Sequence, residues 1–212
     1  MKDNNESVRD SAARQAQVPC DERNAADLAA MERLRDDDAL ALNEIMQRWK
    51  EPLTRFLHRQ LGGGEHDALD IAQETFVRVY EQRHRYRPQG KFSVWLFEIA
   101  CNLCRNNIRW RIRHPTVSLD SDLDNWMDTA KDPRPAGHEI LVQQERADAV
   151  RAAVASLPED LRTPLLLLQY EEMSYAEISA ILHCTPKAVE TRIYRARRHL
   201  EALLRPWLLR QA

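Results

Sequence analysis

The chain has 212 residues, enough for one large or two small domains. Apolar residues make up 43% and charged residues 30%, a globular balance, and no apolar run is long enough to span a membrane. The formal net charge of -2 hides a segregation. Residues 76–114 carry nine Lys or Arg against Glu81 and Glu98, and residues 183–212 carry seven against Glu190 and Glu201. Between them, residues 115–139 hold six acids against Lys131 and Arg134. Two basic blocks around an acidic one fit two contacts with a polyanion, and fit two solvated helix faces equally well. Only five glycines occur, and the long stretches rich in Leu, Ala, Arg and Glu favour helix over strand.

Residues 1–34 are polar and lack a hydrophobic run, so a mobile tail is expected there, and no secretory signal; the chain is expected to stay in the cytoplasm. Leu42, Ile45, Met46, Trp49, Leu53, Phe56 and Leu57 then recur three or four apart, which predicts a helix that Pro52 should kink or divide. The glycines at 62–64 end it. A second helix is predicted over about 67–85, with Leu69, Ala72, Phe76, Val79 and Tyr80 inward. After the turn Pro88-Gln89-Gly90, a third is predicted over about 93–113, with Trp95, Leu96, Ile99, Ala100, Leu103 and Cys104 inward. Three such helices with short connections can close a small bundle over 35–113.

Residues 114–138 hold Pro115, Pro133 and Pro135 among acids and read as a flexible linker in which Trp126 and Met127 form at most a short docking segment. Helical signals return near Glu139 and define a second unit over 139–212. Ser156-Leu157-Pro158-Glu159 and Ser174-Tyr175-Ala176-Glu177 both fit a capping box, and Pro164 should interrupt the helix between them. Thr185-Pro186 supplies an N-cap and a proline at the first helical position.

Cys20, Cys101, Cys104 and Cys184 are expected to be thiols. Cys101 and Cys104 have the C-x-x-C spacing of metal and redox sites, but within a helical apolar stretch they also read as buried small residues.

Residues 174–198 carry the sharpest local signal. A short helix, the turn His183-Cys184-Thr185 and a longer basic helix are tied by the apolar pairs Ile178/Leu182 and Val189/Ile193, the pattern of a helix-turn-helix core. The second helix would place Thr185, Lys187, Ala188, Glu190, Thr191, Arg192 and Arg195 toward DNA, with its first turns in the major groove. An ordinary αα-hairpin would satisfy the same apolar pairs. His183 takes a turn position where glycine is common. In the third helix of the first unit, Phe92, Trp95 and Phe97 interleave with Lys91, Asn102, Arg105, Asn106, Arg109 and Arg111. Rings beside a cationic groove suit single-stranded bases, although Trp95 and Phe92 suit the core as well.

His66-Asp67-Ala68-Leu69-Asp70-Ile71-Ala72-Gln73-Glu74-Thr75-Phe76 resembles the D-x-x-D-[IL]-x-Q-[ED]-[TV]-F segment of the sigma-70 family of bacterial sigma factors. Phe92-Ser93-Val94-Trp95-Leu96-Phe97-Glu98-Ile99-Ala100-Cys101-Asn102 is similar to that family's F-x-x-W-L-x-x-I-A-x-N. Leu157 to Arg162, Tyr175-Ala176-Glu177-Ile178 and 188–197 resemble its C-terminal DNA-binding domain. Two domains with a short linker resemble the extracytoplasmic-function (group 4) class. The resemblance implies an all-α fold of two helical domains, the C-terminal one a helix-turn-helix. It implies that Asp70, Gln73, Glu74 and Phe76 bind the polymerase clamp helices and that the chain also meets the polymerase flap. It implies that Lys91, Trp95, Asn102, Arg105, Asn106 and Arg109 take the −10 element and the 185–195 set the −35 element. The partners implied are core RNA polymerase, promoter DNA and an anti-sigma factor.

No small-molecule substrate, cofactor or metal is expected. Neither a Gly-rich phosphate loop nor H-E-x-x-H nor G-x-S-x-G occurs, so the chain is not expected to be an enzyme. A stand-alone helix-turn-helix regulator would account for 174–198 but not for 66–80 or 92–102.

Overall fold

The computed structural model describes residues 20–114 and 137–209, and among these every regular element is a helix. In chain order they are α1 (Cys20–Arg35), α2 (Ala39–Leu61), α3 (Glu65–Glu81), α4 (Phe92–Arg113), α5 (Gly137–Ala155), α6 (Glu159–Tyr170), α7 (Tyr175–Ile181) and α8 (Pro186–Leu209). None is long and apolar enough to cross a membrane, and no cluster of metal-ligating side chains occurs among the described residues. The expected linker, with Trp126 and Met127, lies almost wholly outside them.

The tail expectation needs correction over 20–34. Cys20–Arg35 is a helix whose Ala30, Met31 and Leu34 are buried. Asp27 fixes it. Its carboxylate is 1% exposed and accepts from Trp49 Nε1 at 2.9 Å and Arg48 Nε at 2.8 Å. Asn24 accepts from the Phe92 amide at 2.9 Å, which satisfies a donor at the start of α4. Polar side chains here make inward contacts that composition does not reveal.

Asp38 caps α2 by accepting from the Leu40 amide at 3.0 Å, and Gly62 ends it at φ 74°, a left-handed conformation that glycine adopts freely. Pro52 lies within the helix and does not divide it. A mid-helix proline forfeits one backbone hydrogen bond. Burial of Trp49 and Leu53 on either side, continued by Phe56 and Leu57, holds the helix together across it.

α3 buries Ala68, Ile71, Ala72, Thr75, Phe76 and Val79, a face rotated from the expected one: Leu69 is half-buried and Tyr80 is exposed beneath the Arg83 guanidinium. α4 buries Phe92, Leu96, Phe97, Ile99, Ala100, Cys101 and Cys104. The Phe97 ring meets Phe56 edge-on at 5.1 Å and Trp49 at 6.0 Å, which pins α4 against α2. Cys101 and Cys104 are buried free thiols; burial pushes Cys101 far up and Cys104 up to about 12, so neither is a reactive thiolate.

In the C-terminal unit the Ser174 capping box forms, with the Glu177 carboxylate accepting from the Ser174 amide at 2.7 Å. The expected box at Ser156 does not. Pro158 is the N-cap of α6, and the Ser156 hydroxyl donates back to Ala153 O. Pro164 lies within an unbroken α6, buried with Leu165, Leu166 and Leu167.

The two units share one apolar core, since α2 packs on α5 and α6 and α4 packs on α7. Arg162 is the joint. Its guanidinium donates to Gln60 O at 2.6 Å, near the end of α2, to Ala155 O at the end of α5, and to Leu157 O just beyond it. Carbonyls at helix ends lack intrahelical donors and carry the negative end of the dipole, so one cation serves both. Beside it the Gln60 amide donates to Thr163 Oγ1 at 2.8 Å, fully buried.

Candidate nucleic-acid interface

α7, the turn and α8 build the helix-turn-helix as the apolar pairs predict. Ile178, Val189 and Ile193 are buried and Leu182 packs against them. His183 sits at φ 49°, the left-handed geometry the turn requires, so the tight turn survives without glycine at a conformational cost. The Cys184 amide donates to Ser179 O at 3.1 Å, and Thr185 Oγ1 accepts from the Ala188 amide at 3.2 Å. α8 therefore starts at Pro186 with its cap in place.

On α8, Thr185, Lys187, Glu190, Thr191 and Arg195 are exposed, while Ala188 and Arg192 are half-buried. Lys187 Nζ pairs with Glu190 at 2.8 Å, and the Thr191 hydroxyl donates to Lys187 O. Arg192 is turned toward Cys184 Sγ, at 3.7 Å, and into the cleft between the units. Arg197 and Arg198, which the 185–195 set omits, are also exposed and extend the basic surface.

On α4, Asn106 and Arg109 are exposed; Lys91, Asn102 and Arg105 are half-exposed. Asn102 Oδ1 accepts from Arg105 Nη1 at 3.1 Å, which orients that guanidinium. The aromatic half of the expected platform is corrected. Phe92 and Phe97 are wholly buried, and Trp95 is half-buried against Tyr86 at 4.8 Å and Phe92 at 6.0 Å. An exposed ring lies elsewhere: Trp110, 51% exposed, stacks on His114 at 5.0 Å. The i,i+4 spacing of two rings in an arginine-rich helix end is the signal that identifies it.

On α3, Asp70 and Gln73 are exposed and Glu74 pairs with Arg78 at 2.8 Å. Phe76 does not join this face; at 3% exposed it is core. The outward neighbour of Gln73 one turn on is Val77, 48% exposed, so the surface carries an apolar element that the sequence reading assigns to Phe76 instead. Asp67 ties the start of α3 to the end of α4 through Arg111 at 2.7 Å.

Two ion pairs and one histidine–carboxylate contact join α4 and its N-cap residue Lys91 to the C-terminal unit. Lys91 Nζ meets Glu177 at 2.9 Å, Glu98 meets His183 Nε2 at 3.0 Å, and Arg105 Nε meets Glu159 at 3.4 Å. A cleft of about 580 Å³ opens beside them, lined by Arg105 and Arg109 from α4 and by Glu159, Asp160, Thr163, Pro164, Leu182, His183 and Arg192 from the C-terminal unit.

The family model described as Sigma-70 region 2 matches residues 45–113, and that described as Sigma-70, region 4 matches residues 147–200. The RNA polymerase sigma-H factor of Pseudomonas aeruginosa is 30% identical over 196 residues, covering 88% of this chain and 97% of that protein. The ECF RNA polymerase sigma-E factor of Escherichia coli (strain K12) is 29% identical over 187 residues, covering 87% of this chain and 97% of that protein. Among solved structures, CnrH in complex with the cytosolic domain of CnrY matches with a TM-score of 0.62 and 26% identity over 85% of this chain and 98% of that one. The sigma factor RpoE in complex with the anti-sigma factor NepR from Bartonella quintana matches in fold, with a TM-score of 0.57 and 20% identity over 76% of this chain and 97% of that one.

Proposed function

The chain belongs to the sigma-70 family, and from that premise we propose that it binds core RNA polymerase and directs it to a set of promoters, as a sigma factor of the extracytoplasmic-function type. The observation that carries this reading is the order of two family segments along one chain, 45–113 followed by 147–200. A stand-alone regulator would need only the second.

In this reading the 35–113 unit holds both the polymerase contact and the melted −10 strand. Asp70, Gln73 and Glu74 offer an acidic, hydrogen-bonding surface to a basic helix of the polymerase, with Val77 as its apolar neighbour. Lys91, Asn102, Arg105, Asn106 and Arg109 supply phosphate and base-edge contacts, and Trp95 supports them from the half-buried side. The 139–212 unit reads the −35 duplex. Lys187 donates to guanine, Glu190 accepts from cytosine, Thr185, Ala188 and Thr191 line the approach, and Arg192 and Arg195 hold phosphates. The chain acts in the cytoplasm, catalyses nothing itself, and is held in check by an anti-sigma factor, the kind of partner named for one of the structures that share its fold.

Run-off transcription with core polymerase and genomic DNA fragments, followed by mapping of start sites, tests the reading. Starts that appear only when the chain is added, and that share upstream −10 and −35 sequences, are expected. DNA binding by the chain with no change in polymerase output would return it to the stand-alone regulators.

A further inference from the structure

We propose that Trp110 is a base-stacking residue: its exposed indole, at the far end of α4, takes an unpaired nucleobase of the melted promoter strand. The proposal rests on the reading of α4 as the single-strand face, and it supplies the ring that this face otherwise lacks.

A single strand is held by cations along its backbone and by rings against its bases, and every base has a flat face to stack. The arginines of α4 reach solvent, but the expected rings do not. Phe92 and Phe97 are wholly buried, and Trp95 is half-buried with Tyr86 and Phe92 around it. Trp110 is 51% exposed. A single exposed apolar side chain is ordinary on a protein surface, so exposure alone assigns nothing.

Position, charge and an existing ring contact assign it. Residues 102, 106, 109, 110 and 113 recur at helical spacing, so Trp110 lies on the stripe that carries Asn102, Asn106 and Arg109. Eight residues separate it from Asn102, about 12 Å of helix, which lengthens the face at one end. Arg109 and Arg113 flank it on the same stripe and both are exposed, whereas Arg111 is turned away and taken by Asp67 at 2.7 Å. Free guanidinium groups on both sides of an indole suit the two phosphates that flank one base. The indole also already holds a flat ring. His114 lies 5.0 Å away and 25° from parallel, with its Nδ1 3.1 Å from Trp110 O. That contact shows that a planar ring can reach the face of the indole, and a nucleobase presents the same kind of face over a larger area.

The test uses holoenzyme assembled from core polymerase and the full chain, on a pre-melted template cut from a promoter mapped with the chain. 2-Aminopurine replaces each base of the melted strand in turn, and its fluorescence falls when it stacks on a ring. At one position quenching is expected with the wild-type chain and with Trp110→Phe, which keeps a ring, but not with Trp110→Ala. Trp110→Ala is expected to weaken template binding about five- to thirtyfold, the lower part of the range for one stacked base, with holoenzyme assembly unchanged. Ile112→Ala is the control. Ile112 is an exposed apolar side chain two residues on, and so on the opposite side of the helix, and its variant is expected to match wild type. The proposal is overturned if no position differs between the wild-type and Trp110→Ala chains, or if Ile112→Ala shares the loss of affinity, or if Trp110→Phe does not restore it. A Trp110→Ala chain that no longer assembles with polymerase would overturn it too, and would place the ring in a protein contact. Asn102→Ala/Arg105→Ala separates the underlying reading. If that variant binds the template undiminished, α4 is not the single-strand face; if it binds weakly while Trp110→Ala binds normally, only the stacking fails.

Discussion

Asp27 is the residue on which the first unit most depends for a polar contact. Its carboxylate is wholly buried, yet it accepts from both Trp49 and Arg48, and burial raises its pKa despite them. Removing it would strand a buried indole N–H and half-bury a lone guanidinium. Asp27→Ala should cost about 2–4 kcal/mol, measured as a lower urea midpoint at unchanged slope. On the recognition helix, Lys187 and Glu190 pair with each other when no DNA is bound. Each must break that pair to read a base, so their effects are coupled. Lys187→Ala or Glu190→Ala should cost about 1–3 kcal/mol at the −35 element and relax its sequence preference. Arg195→Ala should weaken all promoters alike and flatten the salt dependence. Binding of a randomised −35 duplex across a salt series distinguishes these classes; unchanged preference in both the Lys187 and Glu190 variants would move base reading to another face.

The elements have their own test in the acidic stretch of α3. Asp70 and Glu74 are one turn apart, so they share a face, and both reach solvent. Asp70→Ala/Glu74→Ala should leave the helix folded, because neither residue is core, and should weaken binding to core polymerase severalfold in a competition assay with the wild-type chain. Undiminished affinity in the folded double variant would remove this surface from the polymerase contact. Phe76→Ala is the wrong probe, since it excavates the core. The α7–α8 turn gives a second test. His183 holds a left-handed conformation that costs a non-glycine residue about 1 kcal/mol. His183→Gly should relieve that strain and raise the stability of the helix-turn-helix, at the loss of the contact with Glu98. Thermal melting reports the net effect, and a lower melting temperature would mean that the Glu98 contact outweighs the strain.

At the scale of the whole molecule, two buried ionisable groups leave a signature in pH. Glu171, at the end of α6, has its pKa pushed up to about 7 by burial, against the opposing pull of Arg59, Arg55 and Arg23 from the N-terminal unit. A carboxyl raised in this way favours the folded chain fully below its ordinary value near 4.5, and that contribution is lost as pH rises through about 7. His58 works in the other direction. Burial and Arg59 lower its pKa, so its share is present above 6.5 and lost as pH falls. Glu171→Gln removes only the first of these. Its stability relative to wild type should rise between pH 5 and pH 8, in urea titrations at several pH values. A difference that does not change with pH would mean that the carboxyl is solvated in solution.

Helix content, the two units and the helix-turn-helix were legible in the sequence because they rest on local physics. Apolar residues spaced three or four apart, the Ser174 and Thr185 caps and the glycines at 62–64 act within a turn or two of their own positions. The family motifs at 66–76 and 92–102 were equally plain. What the sequence misassigned depended on partners far along the chain. Pro52 and Pro164 stay inside helices because the surrounding core holds those helices together across them. Cys20–Arg35 is a helix because Asp27 finds Trp49 and Arg48. Phe97 is core rather than surface, and Tyr80 surface rather than core, because helix packing fixes rotation more finely than periodicity does. Only the tertiary structure could set Glu159 and Glu177 against Arg105 and Lys91: charges 54 and 86 residues apart in sequence meet because α2 and α4 bury their apolar faces on α5, α6 and α7, and no local pattern encodes that meeting.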